Sequence, residues 1–349
     1  MYRNSAVSSF DGYRRDRYDP LSVLVTRQIS LDTVREAARH VYRAAIRTPL
    51  VRLDVPGPAE LYIKLETLQP IGSFKIRGAY NAVRQLSADQ LAQGVWTVSA
   101  GNAAQGVALA ARLMGARASV LVMDTAPEAK LQAIARLGAS IVKAPYEECW
   151  RTVEQHGSDR MKGFFVHPFD DDRFISGNGT LALEIIEELP DVSAVVAPLG
   201  GGGLLSGIGC VMRGLGTSAK VFAAEPETAA PLASSLAAGR PGYFPGWRAS
   251  FVDGAGGRSV LPSMWPLLTE WVDGSIVVSL DEAARAMRLV AERARVIAEG
   301  AAACAVAAAL RSEAGGGKIV AVLSGGNIDL ARFAELVGAA ATHSRTDLL

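Results

Sequence analysis

From residue 95 to residue 338, short β-rich apolar runs alternate with helix-length patterns, and this alternation leaves few architectures open. The runs at 95–99, 118–123, 140–144, 163–166, 193–197, 220–225, 275–279 and 318–323 read as strands. Segments 103–114, 127–137, 146–156, 173–188, 204–214, 281–296, 300–313 and 328–338 read as helices. Nearer the N-terminus, Ser30-Leu31-Asp32-Thr33 opens a helix to about Arg47, and Glu60–Leu65 alternates like a strand. Ser73 is placed to cap a helix running to about Leu86. Strand followed by helix, repeated on this scale, predicts an α/β fold of open, mostly parallel sheets flanked by helices. Residues 1–29 show little periodicity and read as an N-terminal arm.

Composition narrows the function classes. An apolar fraction of 49% supports a large core, and a net charge of +1 gives no general argument for nucleic acid or an anionic membrane as partner. Arg14, Arg15 and Arg17 form a small basic cluster that reads as a solvated segment. Cys149, Cys210 and Cys304 are odd in number and far apart, without metal-ligand spacing, so buried thiols in a reducing compartment are expected. The segment Met1–Ser30 has no secretory apolar core. The uncharged stretch Val192–Met212 contains Pro198 and six glycines, so it predicts strand, turn and helix rather than a membrane span. A soluble, cytoplasmic protein is expected.

In parallel α/β folds, ligands sit beyond the carboxyl ends of the strands. Four unusual turns fall at such junctions: Gly72-Ser73-Phe74-Lys75, Ser99-Ala100-Gly101-Asn102, Gly200-Gly201-Gly202-Gly203-Leu204 and Ser324-Gly325-Gly326-Asn327. Four consecutive glycines ahead of a helix let the backbone approach an anion, and a phosphate is the natural guest; a close-packed turn without ligand is the other reading. The run does not continue into the Gly-Lys-Ser/Thr of a nucleotide loop, and Ser206 stands where a dinucleotide fingerprint has its third glycine. Lys75 is one of only seven lysines among 36 basic residues. In the first turn of a helix and partly desolvated, its amine is favoured in the neutral, nucleophilic form. A lysine and a phosphate cradle at one sheet edge together suggest pyridoxal phosphate, whose aldehyde needs the first and whose ester needs the second. Asn102 reads either as a helix cap or as a donor to a phenolic oxygen.

Taken together, these segments resemble the fold-type II pyridoxal-phosphate enzymes (tryptophan synthase β-like), most of all the serine/threonine dehydratase and serine racemase group. Pro70 to Ala79 resembles the group's lysine motif, Ser99 to Asn102 its substrate loop, Gly200 to Leu204 its phosphate loop and Ser324 to Asn327 its pyridine-nitrogen motif. Order and spacing agree over about residues 30–340. The resemblance implies that Lys75 forms the Schiff base, Phe74 packs on the ring, Asn102 bonds the ring oxygen and Ser324 meets the ring nitrogen. Gly200, Gly201, Gly202, Gly203 and Leu204 would hold the phosphate, and Glu299 would lie near the cofactor; a helix-capping carboxylate is the other reading of Glu299. Ser99, Ala100, Gly101, Asn102 and Ala103 would bind the substrate carboxylate, with Ser99 and Lys75 as catalytic residues. The resemblance also implies a large domain of residues 30–90 and 165–349, a small domain of 91–164, and a homodimer.

The implied reaction is β-elimination of a β-hydroxy amino acid such as threonine or serine to a 2-oxo acid and ammonia. This chain departs from the group at four points. Ala100 replaces a second serine that racemases use as acid/base, which disfavours racemisation. Ala103 replaces a histidine after the loop asparagine. Pro231 stands where a cation ligand near Glu225-Pro226-Glu227 is expected, so Glu225 reads as structural and no metal is expected. A C-terminal regulatory domain is not expected. Alternatives are a lyase for another β-substituted amino acid (3-hydroxyaspartate or an ectoine-derived acid), a non-catalytic cofactor-binding sensor, and a nicotinamide oxidoreductase. Asp170, Asp171, Asp172 and Arg173, ahead of a turn-like Ser176–Thr180, read as specificity residues or as surface charges.

Overall fold

The computed structural model describes residues 27–57 and 59–343. Among them lie the strands β1 (Leu50–Arg52), β2 (Ala59–Leu65), β3 (Val95–Val98), β4 (Ala118–Met123) and β5 (Ser140–Ala144). They are followed by β6 (Phe164–Phe165), β7 (Ala194–Pro198), β8 (Lys220–Pro226), β9 (Gly274–Val278) and β10 (Gly317–Leu323). They form a six-stranded sheet, ordered β1-β2-β10-β7-β8-β9, and a four-stranded sheet, ordered β5-β4-β3-β6. All pairings are parallel except β1 against β2. Every residue of β3 and β7 is buried, as expected of parallel strands covered on both faces.

The order of the larger sheet builds the site. β10, the last strand in sequence, inserts between β2 and β7, with Val320 opposite both Tyr62 and Val195. Parallel neighbours end at the same sheet edge, so the turns after β2, β10 and β7 converge although about 250 residues separate the first from the last.

Helices cover the sheets. All ten residues of helix Gly300–Ala309 are buried, and its alanines allow close approach to the strands. An added Cβ on Gly207 would stand 2.7 Å from the Gly179 nitrogen, so helices Gly203–Gly214 and Asp172–Glu188 touch backbone to backbone. Ser176–Thr180 is therefore the interior of a helix, not a turn.

Other expectations shift in detail. The helix opened by Ser30 starts as expected, with a capping box between Ser30 and Thr33, but ends at Val41 rather than near Arg47. The helix expected from Ser73 begins at Lys75 and ends at Val83; the buried Ser73 hydroxyl makes no hydrogen bond and caps nothing. Sequence reading missed β1 and helices Ala88–Gln93, Pro231–Ala238 and Trp265–Trp271, all short. A Ser87–Gln90 capping box marks the first of these helices and was a legible signal. Val192–Met212 resolves into β7, the glycine turn and helix Gly203–Gly214, and no helix among the described residues is long and apolar enough to cross a membrane. Residues 1–26 of the arm, with Arg14, Arg15 and Arg17, lie outside the described residues.

Beneath the helix that starts at Lys75 lies a buried charge cluster. Arg77 is wholly buried and donates to Glu66 (two bonds of 2.8 Å), to Glu184 (2.6 and 3.1 Å) and to the Thr180 hydroxyl (3.2 Å). Lys64, equally buried, pairs with Glu184 at 2.8 Å and donates to the Thr48 carbonyl at 2.6 Å. Burial alone would raise the Glu184 carboxyl, but Arg77 and then Lys64 outweigh it and hold the carboxyl below its ordinary value. The cluster ties together β2, the turn after it, helix Lys75–Val83 and helix Asp172–Glu188, and so fixes where Lys75 begins its helix.

Candidate active site

Lys75 lies between two phenylalanine rings, with its amine 5.2 Å from the centre of Phe74 and 5.3 Å from that of Phe174. The amine donates to the Pro168 carbonyl at 2.7 Å. Burial lowers its pKa to about 8, only partly opposed by the negative charge of Glu299. A substantial neutral fraction therefore exists near neutrality, as imine chemistry requires.

Asn102 is the first residue of helix Asn102–Leu113 but does not cap it; the capping position belongs to Gly101, which makes no side-chain bond. Its amide instead donates to Glu299 at 2.8 Å and accepts from Asn327 at 2.8 Å, while Asn327 also donates to the Ile71 carbonyl at 2.8 Å. Glu299 likewise precedes a helix without capping it. Burial and then Asp253 raise its carboxyl to about 7 against the Asn102 bond. Of the two readings for each residue, the capping one fails because the side chain turns into the cavity network.

Ser324 is buried at the end of β10, and its carbonyl accepts from the Phe74 N–H at 3.0 Å, joining the turn after β10 to the lysine turn. The Ser99 hydroxyl accepts from the Gly101 N–H at 3.0 Å and shapes the loop before Asn102. In the glycine turn Gly202 has φ +96°, and helix Gly203–Gly214 starts with no side-chain cap, leaving its first N–H groups for a ligand. A Cβ on Gly201 would stand 2.2 Å from the Phe169 ring, so only glycine fits there.

Phe74, Lys75, the 99–103 loop, Gly200 to Leu204, Glu299 and Ser324 all line one cavity of about 580 Å³. Sequence reasoning missed several other lining groups. Asn327 stood in the quoted serine-glycine motif and its amide was legible; Pro168 acts through a carbonyl, which leaves no signature. Tyr146, Trp247, Lys130 and Asp253 also line the cavity; the Arg258 guanidinium lies over the rings of Tyr146 (4.1 Å) and Trp247 (4.0 Å), and Lys130 pairs with Asp253.

The cavity has what pyridoxal phosphate needs: a neutral-capable amine, an uncapped helix start behind a glycine turn, an amide and a serine hydroxyl. The chain matches the family model described as pyridoxal-phosphate dependent enzyme over residues 41–325. It belongs to that family. It is 39% identical over 313 residues to L-threonine ammonia-lyase of Thermotoga maritima, covering 86% of this chain and 76% of that one. With human serine racemase it shares 40% over 316 residues, 86% and 92% of the two chains. The solved structure of maize serine racemase superposes with a TM-score of 0.81 at 32% identity, over 90% of this chain and 98% of that one. The fold is thus that of the fold-type II pyridoxal-phosphate enzymes.

Two candidate regions lie apart from the chemistry of this pyridoxal-phosphate enzyme. The buried Glu225 carboxylate accepts from the Leu232 and Ala233 N–H groups (both 2.8 Å) and from Ser275, anchoring helix Pro231–Ala238. Asp171 caps helix Asp172–Glu188, and Asp170 is buried against Arg27, His156 and Ser263, so neither is a surface charge nor a cavity residue. The three cysteines are buried and free, and burial pushes the thiols up, to about 11 for Cys149 and Cys210 and about 12 for Cys304.

Proposed function

We propose that this enzyme eliminates water from a β-hydroxy amino acid of the threonine or serine type, giving a 2-oxo acid and ammonia. The observation that carries the reading is the pairing of Lys75, a desolvated amine with a pKa of about 8, with Ala100, which lines the same cavity and has no acid or base group. Bound pyridoxal phosphate supplies the electron sink that stabilises a carbanion at Cα. Lys75 would hold the cofactor through its amine, and that amine is the base placed to take the substrate's α-proton. The N–H groups of the glycine turn and of the start of helix Gly203–Gly214 hold the phosphate. Asn102, fixed by Glu299 and Asn327, would orient the ring by donating to its oxygen.

Ser324 offers the ring nitrogen a neutral hydroxyl rather than a carboxylate. A neutral partner there would leave the bound group a weaker electron sink, which suits elimination of a β-hydroxyl. Ser99 and the N–H groups at the start of helix Asn102–Leu113 bind the substrate carboxylate. The enamine that leaves the site takes up water and releases ammonia, so the balance is one amino acid to one 2-oxo acid and one ammonia. The similarity to a threonine ammonia-lyase supports this reading. It extends to a homodimer in the cytoplasm, with a large domain of residues 30–90 and 165–349 and a small domain of 91–164.

The test is incubation of the purified holoenzyme with threonine, serine, 3-hydroxyaspartate and an ectoine-derived acid, following 2-oxo acid and ammonia. Equimolar release of both from threonine or serine is expected, with none from the Lys75→Ala variant. Release from another acid but from neither of these overturns the substrate assignment. A yellow protein that turns over none of them is the sensor.

A further inference from the structure

The chain crosses from β6 toward helix Asp172–Glu188 through the turn His167-Pro168-Phe169-Asp170, and this turn touches two parts of the active site at once. Its Pro168 carbonyl accepts the Lys75 amine at 2.7 Å. Its Phe169 ring lies where a Cβ on Gly201 would stand, 2.2 Å away, and the Phe169 carbonyl would meet a Cβ on Gly203 at 2.5 Å. The lysine and the phosphate turn therefore share one backing.

His167 holds this turn in shape. The ring is buried; Nδ1 accepts from the Asp170 N–H at 2.8 Å and from the Phe169 N–H at 3.3 Å. With Nδ1 an acceptor, the proton sits on Nε2, which donates to the Val153 carbonyl at 3.1 Å. His156 stacks on the ring at 4.5 Å and Phe169 meets it edge-on at 4.6 Å. Burial lowers the imidazole pKa to about 4, so the ring stays neutral and Nδ1 stays an acceptor. Asp170 anchors the far end through Arg27 at 2.7 Å, His156 at 3.0 Å and Ser263.

We propose that His167 is a positioning residue for the lysine: by tying the Phe169 and Asp170 N–H groups to Nδ1, it aims the Pro168 carbonyl at the Lys75 amine and seats Phe169 behind the glycine turn. The free amine is the species present before the cofactor is captured and again whenever the lysine is released during turnover. The Pro168 carbonyl is then its resting place, and the proposal deepens the assignment of Lys75 made under the proposed function.

Asparagine tests this, because its Oδ1 sits one bond beyond Cγ, as Nδ1 does in histidine, and asparagine accepts readily from N–H groups two and three residues on. Glutamine places its oxygen one bond further and can reach toward Val153 but not into the turn. Cofactor-free protein is mixed with pyridoxal phosphate, and the absorbance of the lysine imine is followed well below each variant's melting midpoint. His167→Asn is expected to form the imine within about threefold of the native rate, and His167→Gln at least about tenfold more slowly, as loss of two buried acceptor contacts implies. A His167→Gln variant as fast as the native protein, or a His167→Asn variant as slow as His167→Gln, overturns the role of His167. Failure of every form, native included, to make the imine would instead overturn the assignment of Lys75.

Discussion

Replacing Arg77 by leucine tests whether the buried charge cluster stabilises the fold beneath the reactive lysine. The guanidinium is wholly buried and makes four bonds to the Glu66 and Glu184 carboxylates. Leucine keeps an apolar stem but leaves Glu66 with only the Thr48 hydroxyl and the Gln69 amide, and Glu184 with Lys64, Tyr42 and the Thr48 N–H. Removing one side of a buried ion pair costs about 3–5 kcal/mol. At about 2.1 cal/mol/K of unfolding entropy per residue, 349 residues give about 0.7 kcal/mol/K, so the melting temperature should fall by about 4–7 °C. The pH dependence follows from Glu184, whose folded pKa is held down chiefly against burial by Arg77. Its stabilising share is present above the ordinary carboxylate pKa of about 4.3 and is lost as pH falls through the folded value. The gap between native and variant proteins should therefore hold steady from about pH 8 down to about pH 5 and narrow only as pH falls below about 4.3 toward pH 3. Differential scanning calorimetry of the cofactor-free protein across that range measures it. A gap under about 1 °C at pH 8, or one that widens on acidification, refutes the reasoning.

Three further outcomes are expected. Gly201→Ala drives a methyl into the Phe169 ring and should weaken pyridoxal phosphate binding by about 10–100-fold, with partial recovery on adding Phe169→Leu; equilibrium titration of the cofactor-free protein decides, and unchanged affinity contradicts the close contact. Because Lys75 has a pKa of about 8, capture of pyridoxal phosphate should speed up about tenfold per pH unit below that value and level off above it, whereas an ordinary lysine would level off about two units higher. Ala100→Ser restores a hydroxyl to the cavity and should raise interconversion of L- and D-serine at least about tenfold; chiral chromatography showing equally fast racemisation by the native protein would remove the role given to Ala100.

Much of this enzyme is determined by its sequence alone. The runs of β4 and β5 match the predicted strands residue for residue: β4 is a largely buried parallel strand with a continuous apolar and β-branched stretch, and β5 is a half-exposed edge strand bounded by Gly138 and Pro145. Lys75, the four glycines and the Ser324 turn are legible because their chemistry resides in residue type and local spacing. What the sequence did not disclose arises between segments. That Asn102 and Glu299 join each other rather than cap their own helices depends on elements 197 residues apart meeting at one edge. The insertion of β10 between β2 and β7 makes that meeting possible, and strand order is not written in local periodicity. Arg77, Glu66 and Glu184 look like ordinary surface charges in one dimension; only the packing of two helices against β2 buries and pairs them. The Pro168 carbonyl and its His167 anchor act through backbone groups that every residue possesses, so only the tertiary structure shows which of those groups the lysine meets.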